Sequence, residues 1–187
     1  MTAILDLPEV RRRVSRLSVE EYHRLDEFNE NGKRTELIRG IVIEKMSKSP
    51  LHATIAMRLF KLILPKVPLG FTARSEQPLT LTDSEPEPDI AIVRGSDADF
   101  AKAHPRSASL VIEVAVSSVE LDREMALLYA EAGVEEYWIV LGNTRSIEVY
   151  RQPANGVYQE KATVSMGATL TSGGIPGVTV SLDELFA

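Results

Sequence analysis

Two acidic residues stand in segments of the sequence that otherwise read as buried strands. Asp89 opens the apolar run 90–93, and Glu113 interrupts the apolar run 110–116. A strand that only has to pack would carry a branched aliphatic residue there, because burying an unpaired carboxylate costs several kcal/mol or forces its protonation. We therefore expect both carboxylates to be neutralised, and a divalent cation shared by Asp89 and Glu113 is the leading interpretation.

The alternation of side chains along the two segments permits a shared site. Successive side chains point to opposite faces of a strand, so Asp89 shares its face with Ala91, and Glu113 shares its face with Ala115. If the strands pair antiparallel with the acids on one face, these alanines leave room for an ion and water. Oxygen ligands without cysteine or clustered histidine favour Mg²⁺ or Mn²⁺ over zinc. An ion pair between Glu113 and an arginine explains the acid equally well from the residues alone.

Length, charge and composition bound the possible classes of protein. The chain has 187 residues, 44% of them hydrophobic, and we predict an N-terminal extension over residues 1–17 and one domain over 18–187. A net charge of −6 argues against a broad electropositive surface, so a nucleic-acid contact would depend on a local groove or a bound metal. The absence of cysteine excludes disulfides and thiolate sites. Without a signal-peptide pattern or an apolar run of about 20 residues, we expect a cytoplasmic protein with no membrane association.

Helix and strand signals around the acids predict a mixed α/β fold. Arg39-Gly40 is typical of a hairpin turn, Pro50 is a typical helix start, and Gly133 a typical helix end. The predicted elements are a helix 18–29, strands 34–38 and 41–46, a helix 50–66, strands 71–77, 87–93 and 110–116, a helix 117–132, and strands 136–141 and 146–150. We interpret residues 152–187 as short strands and turns. This order favours a mixed sheet flanked by helices.

Several segments together resemble a known family of nucleases. They are Glu36 to Gly40, Ser47 to His52, Glu85 to Asp89, Val111 to Val114 and Asp122 to Val140. As a set, over about residues 18 to 180, these segments are similar to the Uma2 family of restriction endonucleases, in the PD-(D/E)XK nuclease superfamily. The resemblance implies a restriction-endonuclease-like core and Mg²⁺-dependent (or Mn²⁺-dependent) hydrolysis of DNA phosphodiester bonds. It also implies a homodimer.

Carried over by position, the resemblance assigns roles to the two acids and exposes a missing lysine. Pro88-Asp89 and Glu113 match the paired acids, which implies that Asp89 and Glu113 are catalytic and ligate Mg²⁺. The family pattern places a lysine two residues after the second acid, here Ala115, or four residues before Tyr129, here Met125. Since this lysine offsets charge on the phosphate, another cation must replace it or cleavage is lost. The candidate replacements are Lys45, Lys48, Lys102 and Arg123.

Three more candidate catalytic residues each have a purely structural alternative. Glu36 matches an auxiliary acid, or it is a cross-strand partner of Lys45 or Arg39. His52 matches a frequent family histidine and is a candidate phosphate contact or proton relay, although a histidine is also tolerated near a helix start. Asp122 matches a recurrent acid that would orient a site group, or it stabilises the helix start through the helix dipole.

Two other classes of function stay open. A protein of nuclease fold could bind nucleic acid or metal without cleaving, because both expected lysine positions are apolar. A glycosidase with two carboxylates is a third class, but it requires an aromatic-lined sugar cleft, and only 6% of residues are aromatic. We interpret Met125, Tyr129 and Trp138 mainly as core side chains.

Overall fold

The computed structural model describes residues 7–26, 32–117 and 119–187. Over these ranges the chain divides into two compact units. The predicted boundary after residue 17 stays a prediction. No helix in the described ranges is long and apolar enough to cross a membrane.

The first unit contains described residues up to Lys45, together with residues 82–85, and is built on a hairpin. Strand β1 (Thr35–Ile38) pairs antiparallel with β2 (Ile41–Glu44), as predicted. The turn residues Arg39 and Gly40 both have positive φ, which the two-residue type I′ turn requires.

Two helices precede this hairpin in the first unit. They are α1 (Pro8–Arg11) and α2 (Val19–Asp26). The predicted capping box begins α2, because the Ser18 hydroxyl accepts the amide of Glu21 at 3.2 Å while the Glu21 carboxylate accepts the amide of Ser18 at 2.8 Å. The helix end predicted near residue 29 lies outside the described residues.

The second unit contains residues 46–81 and 86–187 and is organised around a six-stranded mixed sheet. The strands lie side by side in chain order, and they are β3 (Phe71–Ser75), β4 (Ile90–Arg94), β5 (Leu110–Ala115), β6 (Glu136–Leu141), β7 (Ser146–Ala154) and β8 (Val157–Ser165). Strands β5 and β6 are parallel, and every other neighbouring pair is antiparallel. The parallel pair requires a crossover, which α4 (Val119–Glu131) provides. The predicted mixed sheet is confirmed.

Helices cover both faces of this sheet. On one face, α3 (Pro50–Ile63) packs its buried side chains against Leu110, Ile112 and Val114 of β5. Residues of opposite parity on β5 face α4, so Glu113 points toward the α4 side. The helix predicted to end near residue 66 continues beyond α3 as one 3₁₀ turn, Leu64–Lys66.

The C-terminal third of the chain corrects one prediction. Residues 152–165 do not form short strands, because β7 and β8 are nine residues each and form a long hairpin. Asn155 and Gly156, both with positive φ, make its turn. An Asn-Gly pair is typical of a two-residue hairpin turn, and the sequence analysis missed this signal. The chain ends with β9 (Thr169–Thr171), its partner β10 (Thr179–Ser181) and α5 (Leu182–Leu185).

Candidate active site

The pairing of β4 with β5 brings the two strand acids together. Ile90 pairs with Ile112 and Ala91 with Val111 in antiparallel register. Continuing that register by one residue places Asp89 opposite Glu113, on the same face of the sheet. β4 and β5 therefore pair antiparallel with both acids on one face, which is the condition that a shared site requires.

The two acids are interlocked by hydrogen bonds between strands. The backbone amide of Asp89 donates to Glu113 Oε2 at 3.1 Å. In return, the amide of Val114 donates to Asp89 Oδ2 at 2.8 Å. Each carboxylate thus accepts a hydrogen bond from a backbone amide across the strand pair. These bonds hold both side chains at the start of β4.

Asp89 also contacts two side chains that can carry positive charge. Lys48 Nζ lies 2.6 Å from Oδ1, and His52 Nε2 lies 3.0 Å from Oδ2. Burial raises the pKa of Asp89, but the hydrogen bonds from His52 and Lys48 outweigh burial and lower this pKa below its ordinary value. Asp89, only 6% exposed, is therefore a buried anion at neutral pH.

The start of α3 positions both of these partners. Ser49 caps the helix by accepting the amide of His52 at 3.2 Å, and Pro50 occupies the first helical position. Lys48 directly precedes the cap, so the same short segment delivers the ammonium and the imidazole. The positive end of the helix dipole lies at the same place and favours the Asp89 anion.

A further acid, Glu76, joins the site from the end of β3. Its carboxylate lies 2.9 Å from Lys48 Nζ, so the ammonium bridges Glu76 and Asp89. Burial lowers the pKa of Lys48, but the bonds to Asp89 and Glu76 outweigh it and raise the pKa above its ordinary value. The sequence analysis missed Glu76, because only the pairing of Ser75 with Ile90 places this residue beside Asp89.

Glu113 accepts a hydrogen bond from an aromatic residue of α4. The buried Tyr129 hydroxyl donates to Glu113 Oε1 at 3.0 Å. Tyr129 therefore packs in the core, as predicted, and also orients a site carboxylate, which was not predicted. Met125 is buried one turn earlier on the same helix face, and its predicted packing role is confirmed.

Asp122 lies half-buried in the first turn of α4. Its backbone carbonyl accepts the hydroxyl of Tyr137 at 2.9 Å. Burial raises the pKa of Tyr137 well above its ordinary value, and the negative charges of Glu113 and Asp122 add to this rise. The predicted role of the Asp122 carboxylate in orienting a site group stays a prediction.

Glu36 belongs to the first unit, where it forms the ion pair anticipated as its structural alternative. Lys45 Nζ lies 2.8 Å from Glu36 Oε1. Its role as an auxiliary acid stays a prediction. Among the other candidate cations, Lys102 is exposed, and Arg123 makes two hydrogen bonds to Glu148, at 3.2 and 2.6 Å.

The donor set at the paired acids fits a hard divalent cation. Two adjacent carboxylates are the protein share that Mg²⁺ commonly takes, with water or phosphate oxygens completing its six ligands. Across the described ranges, no group of three or more His, Asp and Glu side chains is arranged to hold a metal ion. A site for Mg²⁺ or Mn²⁺ at Asp89 and Glu113 stays a prediction.

A helix-flanked mixed sheet whose adjacent strands present paired acids defines a protein of restriction-endonuclease-like fold. The chain belongs to the Uma2 family, whose model, described as "putative restriction endonuclease", matches residues 19–183. The family resemblance noted from the sequence is confirmed.

Comparison with solved structures supports the fold. The crystal structure of a putative nuclease belonging to DUF820 from Anabaena variabilis superposes with a TM-score of 0.71 at 19% sequence identity. The match covers 91% of this chain and 97% of that chain. A comparison with curated proteins gives no significant match.

Proposed function

We propose that this protein is a Mg²⁺-dependent endonuclease that hydrolyses phosphodiester bonds in DNA. The observation that carries the proposal is the hydrogen-bonded pair Asp89 and Glu113, at the point where β4 begins beside β5. Membership of the Uma2 family favours this activity over the glycosidase interpretation.

The reaction adds one water molecule across a phosphodiester bond. The water oxygen forms a bond to phosphorus, the bond from phosphorus to the leaving sugar oxygen breaks, the water loses a proton and the leaving oxygen gains one. When bound, Mg²⁺ supplies Lewis-acid polarisation of the phosphate and lowers the pKa of bound water. Asp89 and Glu113 would hold the ion, while the Val114 amide and Tyr129 keep the two carboxylates in place.

His52 places an imidazole ring beside the two acids. Its Nε2 is engaged by Asp89, and its buried Nδ1 has no hydrogen-bond partner among the described residues. A buried imidazole nitrogen without a partner costs free energy. While Nε2 donates to Asp89, Nδ1 of a neutral His52 accepts a hydrogen bond and would be satisfied by a water molecule, whereas a phosphate oxygen bonds there only to the doubly protonated imidazole. We assign His52 to positioning Asp89 and to contacting a water molecule or, when doubly protonated, a phosphate oxygen.

DNA, a homodimeric state and a cytoplasmic location are parts of the proposal that follow from the family and the composition. With a net charge of −6, the protein must contact DNA through a local site rather than a basic face. Binding should therefore depend strongly on the divalent cation.

Alanine substitution of each acid tests the proposal. We expect Asp89→Ala and Glu113→Ala each to abolish Mn²⁺ binding measured by calorimetry and Mg²⁺-dependent cleavage of plasmid DNA, because each variant removes half of the carboxylate pair. Glu124→Ala, at an exposed acid of α4, is the matched control and should behave as the unaltered protein. Mn²⁺ binding retained in both site variants would sink the proposal.

A second candidate function is a nuclease fold that binds DNA or metal without cleaving. The observation favouring it is that both expected lysine positions are buried and apolar, Ala115 at 1% and Met125 at 8% exposure. Unaltered protein that binds Mn²⁺ through Asp89 and Glu113, but leaves plasmid and linear DNA intact with Mg²⁺ and Mn²⁺, would establish this alternative.

A further inference from the structure

A positive side chain beside two acids assists cleavage of a phosphodiester bond. Negative charge grows on the phosphate oxygens as the bond to the attacking oxygen forms, and a fixed cation there stabilises the transition state. Neither Ala115 nor Met125 can supply it, since both side chains are apolar and buried. The cation must come from another part of the fold.

Lys48 is the lysine that the second unit brings onto the site acids. Its ammonium lies 2.6 Å from Asp89 and 2.9 Å from Glu76, although 41 residues separate Lys48 from Asp89 in the chain. The backbone beside it is fixed by the Ser49 cap and Pro50 of α3. Lys48 is therefore delivered by a structured segment rather than by a free chain end.

The Lys48 side chain is placed to reach a substrate. Its side chain is 24% exposed whereas that of Asp89 is 7% exposed, so Lys48 is more accessible to a ligand than the carboxylate it contacts. Lysine has three donors and a flexible stem. It can keep one bond to Glu76 while another donor turns toward a phosphate oxygen.

We propose that Lys48 is the catalytic cation of this site and contacts the scissile phosphate in place of the lysine absent at Ala115 and Met125. The inference rests on the proposed function. In the resting protein the ammonium neutralises Asp89 and Glu76, and on substrate binding it pairs with the phosphate, where it offsets the developing charge.

Charge removal at Lys48 is the first test. We expect Lys48→Met to lower kcat for DNA cleavage about 10²- to 10³-fold, the loss typical of removing one transition-state donor. Lys48→Arg should recover part of the rate, because it keeps the positive charge. Lys61→Met removes the same charge from an exposed position at the far end of α3 and should cleave normally.

Binding without cleavage gives a second readout that a structural role would not move. With Ca²⁺ and a DNA duplex carrying phosphorothioate linkages, log K should fall with log salt less steeply in Lys48→Met, by about 0.9 in slope for one lost phosphate contact. The slope should stay unchanged in Lys61→Met. Circular dichroism of Lys48→Met and Lys48→Gln checks that both remain folded.

A rescue experiment separates a missing charge from a damaged fold. Met125 lies one turn before Tyr129, whose hydroxyl contacts Glu113, so a lysine there would approach the same acids. Met125→Lys added to Lys48→Met should restore at least ten-fold of the lost kcat.

The outcomes distinguish this inference from the proposed function. If the unaltered protein cleaves DNA, and Lys48→Met cleaves it equally well with an unchanged salt slope, the role of Lys48 is overturned. The proposed nuclease function then stands. Loss of cleavage in Lys102→Met instead would also overturn the role of Lys48, because the cation would then come from the connection between β4 and β5. If the unaltered protein binds DNA without cutting it, and Lys48→Met shows the expected change in salt slope, the phosphate contact of Lys48 is supported. The proposed hydrolytic activity is then excluded. Failure to bind DNA with any divalent cation overturns both.

Discussion

Two buried carboxylates on the central sheet, Glu136 and Asp89, are neutralised in different ways. Glu136 begins β6 and is 1% exposed, while Asp89 precedes β4 and is 6% exposed. Burial alone therefore does not distinguish them, and the nature of their partners does.

Glu136 accepts hydrogen bonds from residues of β6, β7 and the 172–174 turn. Trp138 Nε1 and Arg151 Nε donate to Oε1 at 2.8 and 2.7 Å, and the Ser172 hydroxyl donates to Oε2 at 2.7 Å. The Gly173 amide adds a further bond to Oε2 at 2.9 Å. This carboxylate ties the 172–174 turn to the sheet, which is a structural task.

Asp89 instead lies opposite a second acid, Glu113, and shares the Lys48 ammonium with a third, Glu76. His52, which also contacts Asp89, has a buried Nδ1 with no hydrogen-bond partner in the described part of the chain. The comparison teaches that burial is similar at the two acids, but Glu136 joins two structural segments whereas Asp89 belongs to a cluster of acids around one lysine.

Matched amide substitutions should give the largest contrast between the two acids. We expect Glu136→Gln to lower the free energy of unfolding by about 3 kcal/mol, because an amide nitrogen cannot accept from Ser172 and Gly173 and leaves Arg151 without its counter-charge. Asp89→Asn should cost less, about 1 kcal/mol, because the amide oxygen can still accept from both the Val114 amide and His52 at the Oδ2 position, while Lys48 keeps its bond to Glu76. Urea denaturation measures both. Equal losses would break the distinction.

Acid titration of a third buried acid, Glu148, should give an intermediate effect. The hydrogen bonds from Arg123 lower the pKa of Glu148 from 4.5 to about 2, against burial, which raises it. A lowered folded-state pKa stabilises the protein above pH 4.5, and this stabilisation is lost as pH falls toward 2. Allowing for screening of the half-exposed Arg123, we expect about 2 kcal/mol of pH-dependent stability.

Thermal unfolding followed from pH 6 to pH 2 measures this contribution. Glu148→Gln should flatten the acid limb of the stability curve, and Glu124→Gln, at an exposed acid of α4, should leave it unchanged. An acid limb that is the same in Glu148→Gln and the unaltered protein would place Glu148 outside the stabilising network.

The smallest expected effect comes from Tyr129, which connects the core to the site. Tyr129→Phe removes the hydroxyl bonded to Glu113 Oε1 and should lower unfolding free energy by about 1 kcal/mol. Under the proposed function, Glu113 loses the donor that orients it toward the ion, and Mn²⁺ affinity should fall about ten-fold. Calorimetry measures the affinity, and Tyr137→Phe, whose hydroxyl bonds a backbone carbonyl, is the control that should keep it. An unchanged affinity in Tyr129→Phe would make Tyr129 a core residue only.

Much of the fold followed from local signals in the sequence. The Arg39-Gly40 turn, the Pro50 helix start and the parity of Asp89 and Glu113 each depend on neighbours in the chain, and each prediction is confirmed. The β7–β8 hairpin was missed because the Asn155-Gly156 turn signal was not recognised within residues 152–187.

The partners of the site acids were harder to predict, because tertiary structure selects them. Lys48 stood among several candidate cations, and only the packing of the α3 start beside β4 distinguishes it. Glu76 gave no signal, since its place depends on the β3–β4 register. Tyr129 looked like a core residue because it is one, and its hydroxyl takes on a second task.

The hydrogen bonds that join Asp89 to the Glu113 carboxylate and to the Val114 amide have a consequence for folding. A slip of β4 by one residue would turn Asp89 to the opposite face, breaking its bond to the Val114 amide and separating it from Glu113. A misaligned sheet would thus bury the Asp89 carboxylate without these partners, which costs free energy. The residues proposed as the active site therefore also help to specify the register of the sheet that holds them.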